Sequence, residues 1–282
     1  MTPDQTGLSP AAALLRRQDP DRFRFALFAP PSAREALFTL YAFNHEVAKT
    51  RESVSETMIG GIRLQWWRES IEGIYGGVPR QHEIVLPLAA CIEAYSLSRN
   101  AFDGLINARE RDLEDRPMDD LSEAERYLRA ATEPLIELAG MILDPAGKLE
   151  RNGLADIAAG HAFMGKLRAT GHLEAARRPF FPRSLLEKHG GSPRKFSELK
   201  MDEGCRSAVR EMADHALALT ARGLARTRKE RTLAPLLLPA RQTRSRGSQL
   251  AKLRYDPFDM RFAGPDPLEI WRFWLSRFSG RY

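Results

Sequence analysis

The side chains that could carry chemistry in this sequence are spread along it rather than gathered into one motif. Its six histidines, His45, His82, His161, His172, His189 and His215, include no pair four residues apart, the spacing that puts two imidazoles on one helical face around a metal ion. Each is expected on the surface or satisfied in the core. Cys91 and Cys205 are the only cysteines and have no Cys or His neighbours at zinc spacing, so they read as structural thiols of a reducing compartment. No Gly-x-Ser-x-Gly nucleophile elbow occurs, although a Ser-His-Asp set drawn from distant positions stays open. Arg109-Glu110-Arg111-Asp112-Leu113 alternates charge, as a solvated helix surface does. Trp66 and Trp67, with Leu64 and Ile71 beside them, are expected to pack in the core.

The elements that position these residues are helices. Apolar residues recur at helical spacing almost throughout, β-branched alternation is absent, and Gly or Pro clusters fall between the periodic segments. The fold class is all-α. The spacing predicts helices near 8–17, 21–28, 32–52, 55–75, 82–97, 99–115, 121–143, 148–173, 183–189, 203–230, 232–253 and 267–278. Pro179, Pro182, Gly190, Gly191 and Pro193 mark the longest break, which reads as a loop inside one domain covering 1–282. Ser122 followed by Glu125 has the spacing of a capping box, and Pro182 before Arg183-Ser184-Leu185-Leu186 suits a short helix entered from a rigid turn.

Totals bound the function classes. Hydrophobic residues at 43% and charged residues at 28% exclude a disordered or collagenous chain. The 43 Lys and Arg exceed the 37 Asp and Glu, which favours anionic partners. No apolar run nears the roughly 18 residues of a spanning helix, and the N-terminus lacks the apolar core of a signal peptide. The expected location is cytoplasmic, with peripheral contact at the inner membrane open. Ala221 to Arg254 holds ten Lys or Arg against Glu230, a candidate surface for anionic lipid. Leu268, Ile270, Trp271, Phe273, Trp274 and Phe278 lie among Arg272, Arg277 and Arg281, which suits an amphipathic helix docked on the domain or resting at a membrane. Nucleic acid is not an expected partner, because the basic stretch is not interleaved with aromatics.

Three segments carry a family resemblance. Arg34-Glu35-Ala36-Leu37-Phe38-Thr39-Leu40-Tyr41-Ala42-Phe43 resembles the first conserved region of squalene and phytoene synthases, and Arg63 to Glu72 is similar to their tryptophan-containing helix. Arg168 to Pro182, ending Arg178-Pro179-Phe180-Phe181-Pro182, has the spacing of their second conserved region. The resemblance implies one isoprenoid-synthase-like helical fold around a central cavity. In active members two acidic motifs hold magnesium, which neutralises a leaving diphosphate and needs carboxylate oxygens from two directions.

Those motifs are degenerate here. Aligned on Tyr41-Ala42-Phe43, the first falls on Ala48-Lys49-Thr50-Arg51-Glu52, with Ala48, Lys49 and Glu52 expected on one helical face. Counted from Arg168, the second falls on Ala169-Thr170-Gly171-His172-Leu173, so Ala169 and Leu173 stand where aspartates would. No metal or other cofactor is therefore expected. The losses are similar to those of the family branch that contains mitochondrial complex I assembly factor 6. This implies a non-catalytic helper in respiratory complex I assembly, with a complex I subunit or assembly intermediate as partner and a lipid or prenyl compound as ligand. Lys49, Arg51, Lys166 and Arg168 form a candidate anion site across the former cavity, against the simpler reading of ion pairs with Glu46, Glu52 or Glu174. The rival function is an active prenyltransferase joining isoprenyl diphosphates, with magnesium held by Glu52, Glu56, Glu110 and Asp112. Glu110 and Asp112 would then be remnants of a family carboxylate.

Overall fold

The computed structural model describes residues 7–54, 56–149 and 152–282, and no β-strand occurs among them. The α-helices, in chain order, are α1 (Pro10–Gln18), α2 (Pro20–Leu27), α3 (Pro31–Ala48), α4 (Thr57–Tyr75), α5 (Val85–Tyr95), α6 (Arg99–Ala108) and α7 (Leu121–Leu143). They continue with α8 (Leu154–Ala175), α9 (Arg183–Lys188), α10 (Pro193–Ser197), α11 (Glu203–Ala225), α12 (Ala234–Lys252), α13 (Met260–Ala263) and α14 (Glu269–Ser279). The chain forms two compact units, each discontinuous in sequence. The first is Met1–Glu114, Pro134–Leu149 and Glu230–Leu236; the second is Asp115–Glu133, Glu150–Lys229 and Leu237–Tyr282.

In the first unit α3 is the central helix. It is apolar on most of its circumference, and Leu37 to Asn44 are all buried, as a helix surrounded by others requires. Phe43 meets Trp67 of α4 and Phe102 of α6, both edge-on at 5.3 Å between ring centroids. Trp67 is thus the core residue expected, while the half-exposed Trp66 lies under the Arg80 guanidinium at 5.4 Å. Helices α1, α2 and α3 each begin with proline, whose missing N–H costs nothing at the first helical position.

In the second unit α8 and α11 form the main helix pair. Small residues bring their backbones together: a Cβ on Gly160 would lie 2.5 Å from the Ala216 carbonyl oxygen, and one on Gly223 would lie 2.5 Å from that of Gly153. Around this seam α8 buries Leu154, Ile157, Phe163 and Leu167.

The structure moves several expected boundaries. Helix α7 spans 121–143 as the periodicity predicts, but its cap is not Ser122 with Glu125. Asp120 Oδ1 accepts from the Glu123 N–H at 2.7 Å and Glu123 Oε2 accepts from the Asp119 N–H at 2.6 Å, a box two residues earlier. The helix expected at 99–115 ends at Ala108 and tightens into a 3-10 segment, Arg109–Glu114, that stops at Asp115 in the left-handed region. The one at 203–230 ends at Ala225, and short helices α10 and α13 were not expected.

Candidate functional site

The first degenerate motif does not lie on one helical face. Helix α3 stops at Ala48; the Thr50 N–H reaches back only to Val47, at 3.2 Å, and Arg51–Ser53 winds into a 3-10 turn before extended Val54. The Ser53 hydroxyl donates to the Thr50 carbonyl at 2.9 Å, offering the backbone the local alternative that ends a helix. The face expected of Ala48, Lys49 and Glu52 therefore breaks after Lys49. Lys49 is ion-paired with Glu46, which also takes Arg63 at 3.1 Å. Arg51 donates to the Val54 carbonyl at 3.0 Å, and Glu52 is exposed. Glu110 pairs with Arg68 at the surface, and Asp112 with Arg109 at 3.4 Å in a part-buried pair.

The second motif lies on α8. Ala169 and Leu173 are one turn apart and half-buried, presenting a methyl and an isobutyl group. Lys166, two turns before Leu173, lies over two aromatic rings, 4.8 Å from the Phe180 centroid and 5.6 Å from that of Tyr127. Arg168 is half-buried. Glu174 lines a cleft of about 360 Å³ with Phe181, Leu186 and Phe196, and burial pushes its carboxyl above the usual glutamate value.

A magnesium pair needs several converging carboxylate oxygens. At the two motif positions the donors are one exposed carboxylate in the first unit and none in the second, a set that does not fit the ion. Among the described residues no three His, Cys, Asp or Glu side chains gather as a metal site would require.

Sequence reasoning missed the strongest electrostatic cluster of the second unit. Asp156 of α8, 6% exposed, accepts from Arg129 of α7 at 2.6 Å and from Arg222 of α11 at 2.9 and 3.2 Å. The hydrogen bonds from Arg222 and Arg129 hold its carboxyl down at about 2. Arg129 also binds Glu125 at 2.7 Å and Glu133 at 2.8 Å, and His215 closes the chain on Glu125 at 2.8 Å. Glu125-x-x-x-Arg129-x-x-x-Glu133 was a visible signal at i, i+4 spacing; its partners on α8 and α11 were not.

The basic stretch from Ala221 to Arg254 is not one surface. Arg222 and Arg226 turn to Asp156, and Arg246 is buried, 4% exposed, donating to the Gly264 carbonyl at 3.0 Å. Arg241, Arg244 and Lys252 of α12 instead line a cleft of about 490 Å³. Its other wall is the Pro265–Pro267 turn and Arg272 of α14. Arg272 is ion-paired with Asp266 and donates to the Ser245 hydroxyl at 3.1 Å.

Helix α14 docks on its own unit and turns its aromatic face outward. Glu269, Phe273 and Ser276 are buried beneath it, and Glu269 accepts from the Gln242 side chain at 2.8 Å. Trp271, Trp274, Leu275 and Phe278 lie on the opposite face, 67%, 47%, 69% and 70% exposed. No helix among the described residues is long and apolar enough to cross a membrane.

Comparison with known proteins places this geometry. The profile of the squalene/phytoene synthase family matches residues 15–278. A bovine (Bos taurus) protein, NADH dehydrogenase (ubiquinone) complex I, assembly factor 6, is 30% identical over 212 residues, covering 72% of this chain. The match covers 61% of that relative's own length. The squalene synthase HpnC from Alicyclobacillus acidocaldarius superimposes with a TM-score of 0.77 at 20% identity, covering 88% of this chain and 94% of its own. A dehydrosqualene synthase in complex with ligand gives 0.82 at 12% identity over 96% of this chain and 94% of its own, so both solved structures speak to the fold. From the last turn of α1 into α14, this all-α chain belongs to the squalene/phytoene synthase family.

Proposed function

We propose that this chain is a non-catalytic member of its family that assists assembly of respiratory complex I, with a complex I subunit or assembly intermediate as its partner. The observation that carries the reading is the set of side chains at the two motif positions: Ala48, Lys49 and the exposed Glu52 in one unit, Ala169 and Leu173 in the other. Two methyls, an ammonium, an isobutyl group and one lone carboxylate are too few oxygen donors to gather cations around a leaving diphosphate. The likeness to complex I assembly factor 6 over 72% of the chain supports the assembly role.

The rival, prenyl transfer, requires Glu52, Glu56, Glu110 and Asp112 to hold magnesium, yet Glu110 and Asp112 are spoken for by Arg68 and Arg109. Incubation with farnesyl or geranylgeranyl diphosphate and magnesium is expected to release no diphosphate. Turnover that disappears in Glu52→Gln overturns the non-catalytic reading. Co-purification of the tagged chain with complex I subunits is the expected result for the assembly role, and its absence from every assembly intermediate counts against it.

A further inference from the structure

The cleft between α12 and the Pro265–Arg272 segment collects more positive than negative charge. Four cationic side chains, Arg241, Arg244, Lys252 and Arg272, line it against the single carboxylate of Asp266. Arg272 has Asp266, and Arg244 donates to the Tyr282 backbone oxygen at 2.6 Å. The side chains of Arg241 and Lys252 make no hydrogen bond or ion pair among the described residues. Burial, then the charges of Arg272 and Arg244, holds the Arg241 guanidinium below its ordinary value, as crowding by like charge does. A volume of about 490 Å³ lies in the range of small-ligand sites.

A second feature selects the anion's source. Trp271, Trp274, Leu275 and Phe278 recur at i, i+3, i+4 and i+7, making one outward stripe on the helix that supplies Arg272. Tryptophan and phenylalanine beside arginine is the composition of a helix lying in a membrane interface, whose rings enter the headgroup boundary while cations meet phosphate. A soluble phosphate would use the cleft and leave the stripe in water.

We propose that the α12–α14 cleft takes the phosphate headgroup of an anionic phospholipid at a bilayer surface, with the α14 stripe inserted beside it. Guanidinium forks suit phosphate oxygens, and the adjacent Ser248 and Gln249 add neutral polar groups. The site lies within the second unit and needs neither prenyl chemistry nor complex I, so it stands or falls separately from the proposed function.

Vesicle sedimentation of the full chain tests it. Equimolar phosphatidylglycerol and phosphatidylcholine vesicles are expected to bind at least about tenfold more tightly than phosphatidylcholine alone, with the difference shrinking as salt rises. The Arg241→Glu, Lys252→Glu pair and the Trp271→Ser, Trp274→Ser pair are each expected to lower partitioning about tenfold at unchanged circular dichroism. If the charge-reversed pair misfolds, Arg241→Gln carries the same comparison with a smaller loss. Equal binding to both vesicle types overturns the proposal, as does parental binding by either folded pair. Glycerol phosphate bound by a chain that ignores vesicles makes this a soluble-anion site. A concentration-dependent dimer that buries Trp271 and Trp274 makes the stripe a protein interface, and either result rejects the lipid.

Discussion

Two charged regions of the second unit are built in opposite ways. Around Asp156, on α7, α8 and α11, each charge has an opposite partner: three arginines meet one aspartate, Arg129 and Arg222 by hydrogen bonds and Arg226 at 3.7 Å, and Arg129 is shared with two glutamates. Along α12 and α14 four cations face one carboxylate, and aromatic side chains beside them stand in solvent. A protein gains stability by compensating charge where helices meet, and it gains nothing internal from leaving like charges together. The contrast separates a region whose charges are matched from one whose cations outnumber the carboxylate beside them.

The sharpest way to break that contrast begins at the seam beneath the first region. Gly160→Val puts a branched side chain where a Cβ already lies 2.3 Å from Thr220 Oγ1, so α8 and α11 must separate. The expected cost is about 3 kcal/mol or more, read as a lower urea midpoint. Asp156→Asn is the next largest. A carboxyl held at about 2 and 6% exposed implies a loss of about 2 kcal/mol at neutral pH. Because its folded value is depressed, that contribution is present above about pH 4 and fades as pH falls toward 2, where parent and variant unfolding curves should converge. If they stay equally separated in acid, the carboxylate is not what Arg129 and Arg222 contribute to stability.

In the second region the effects should be small. Trp271→Ser is expected to shift stability by less than about 0.5 kcal/mol, since the indole is 67% exposed. Arg241→Gln should be neutral or raise the midpoint slightly, by under about 0.5 kcal/mol, through relief of repulsion from Arg272 and Arg244. A loss matching that of Asp156→Asn would mean that Arg241 holds the fold after all.

Much of the architecture was legible because it is local. Helical spacing and the Gly and Pro breaks located α7, α14 and the end of α8 to within two residues, although α8 begins at Leu154 rather than 148, and the residue types at 48, 49, 169 and 173 were readable by counting. The end of α3 was not, because a charged segment such as Lys49-Thr50-Arg51-Glu52-Ser53 continues a helical pattern until the Ser53 hydroxyl and extended Val54 divert it. Composition marked 221–254 as basic but could not divide it. That division depends on Asp156 being near Arg222 and Arg226, and on a turn at Pro265–Pro267 returning Arg272 to α12. The stripe at 241, 244, 248 and 252 was there to be read as one helical face; its opposing wall came only with tertiary structure.

The underside of α14 has a mechanical meaning. Glu269 is held by Gln242, which also meets His161 at 2.6 Å, and Arg246 lies 4.0 Å from the same carboxylate while donating to the Phe262 and Gly264 carbonyls. An apolar contact would let the helix roll about its axis at little cost, since one methyl replaces another. A directional polar lock does not, because any rotation strands a buried ion. The azimuth of α14 is thereby fixed, and its indole rings are presented as a rigid blade rather than a loose flap.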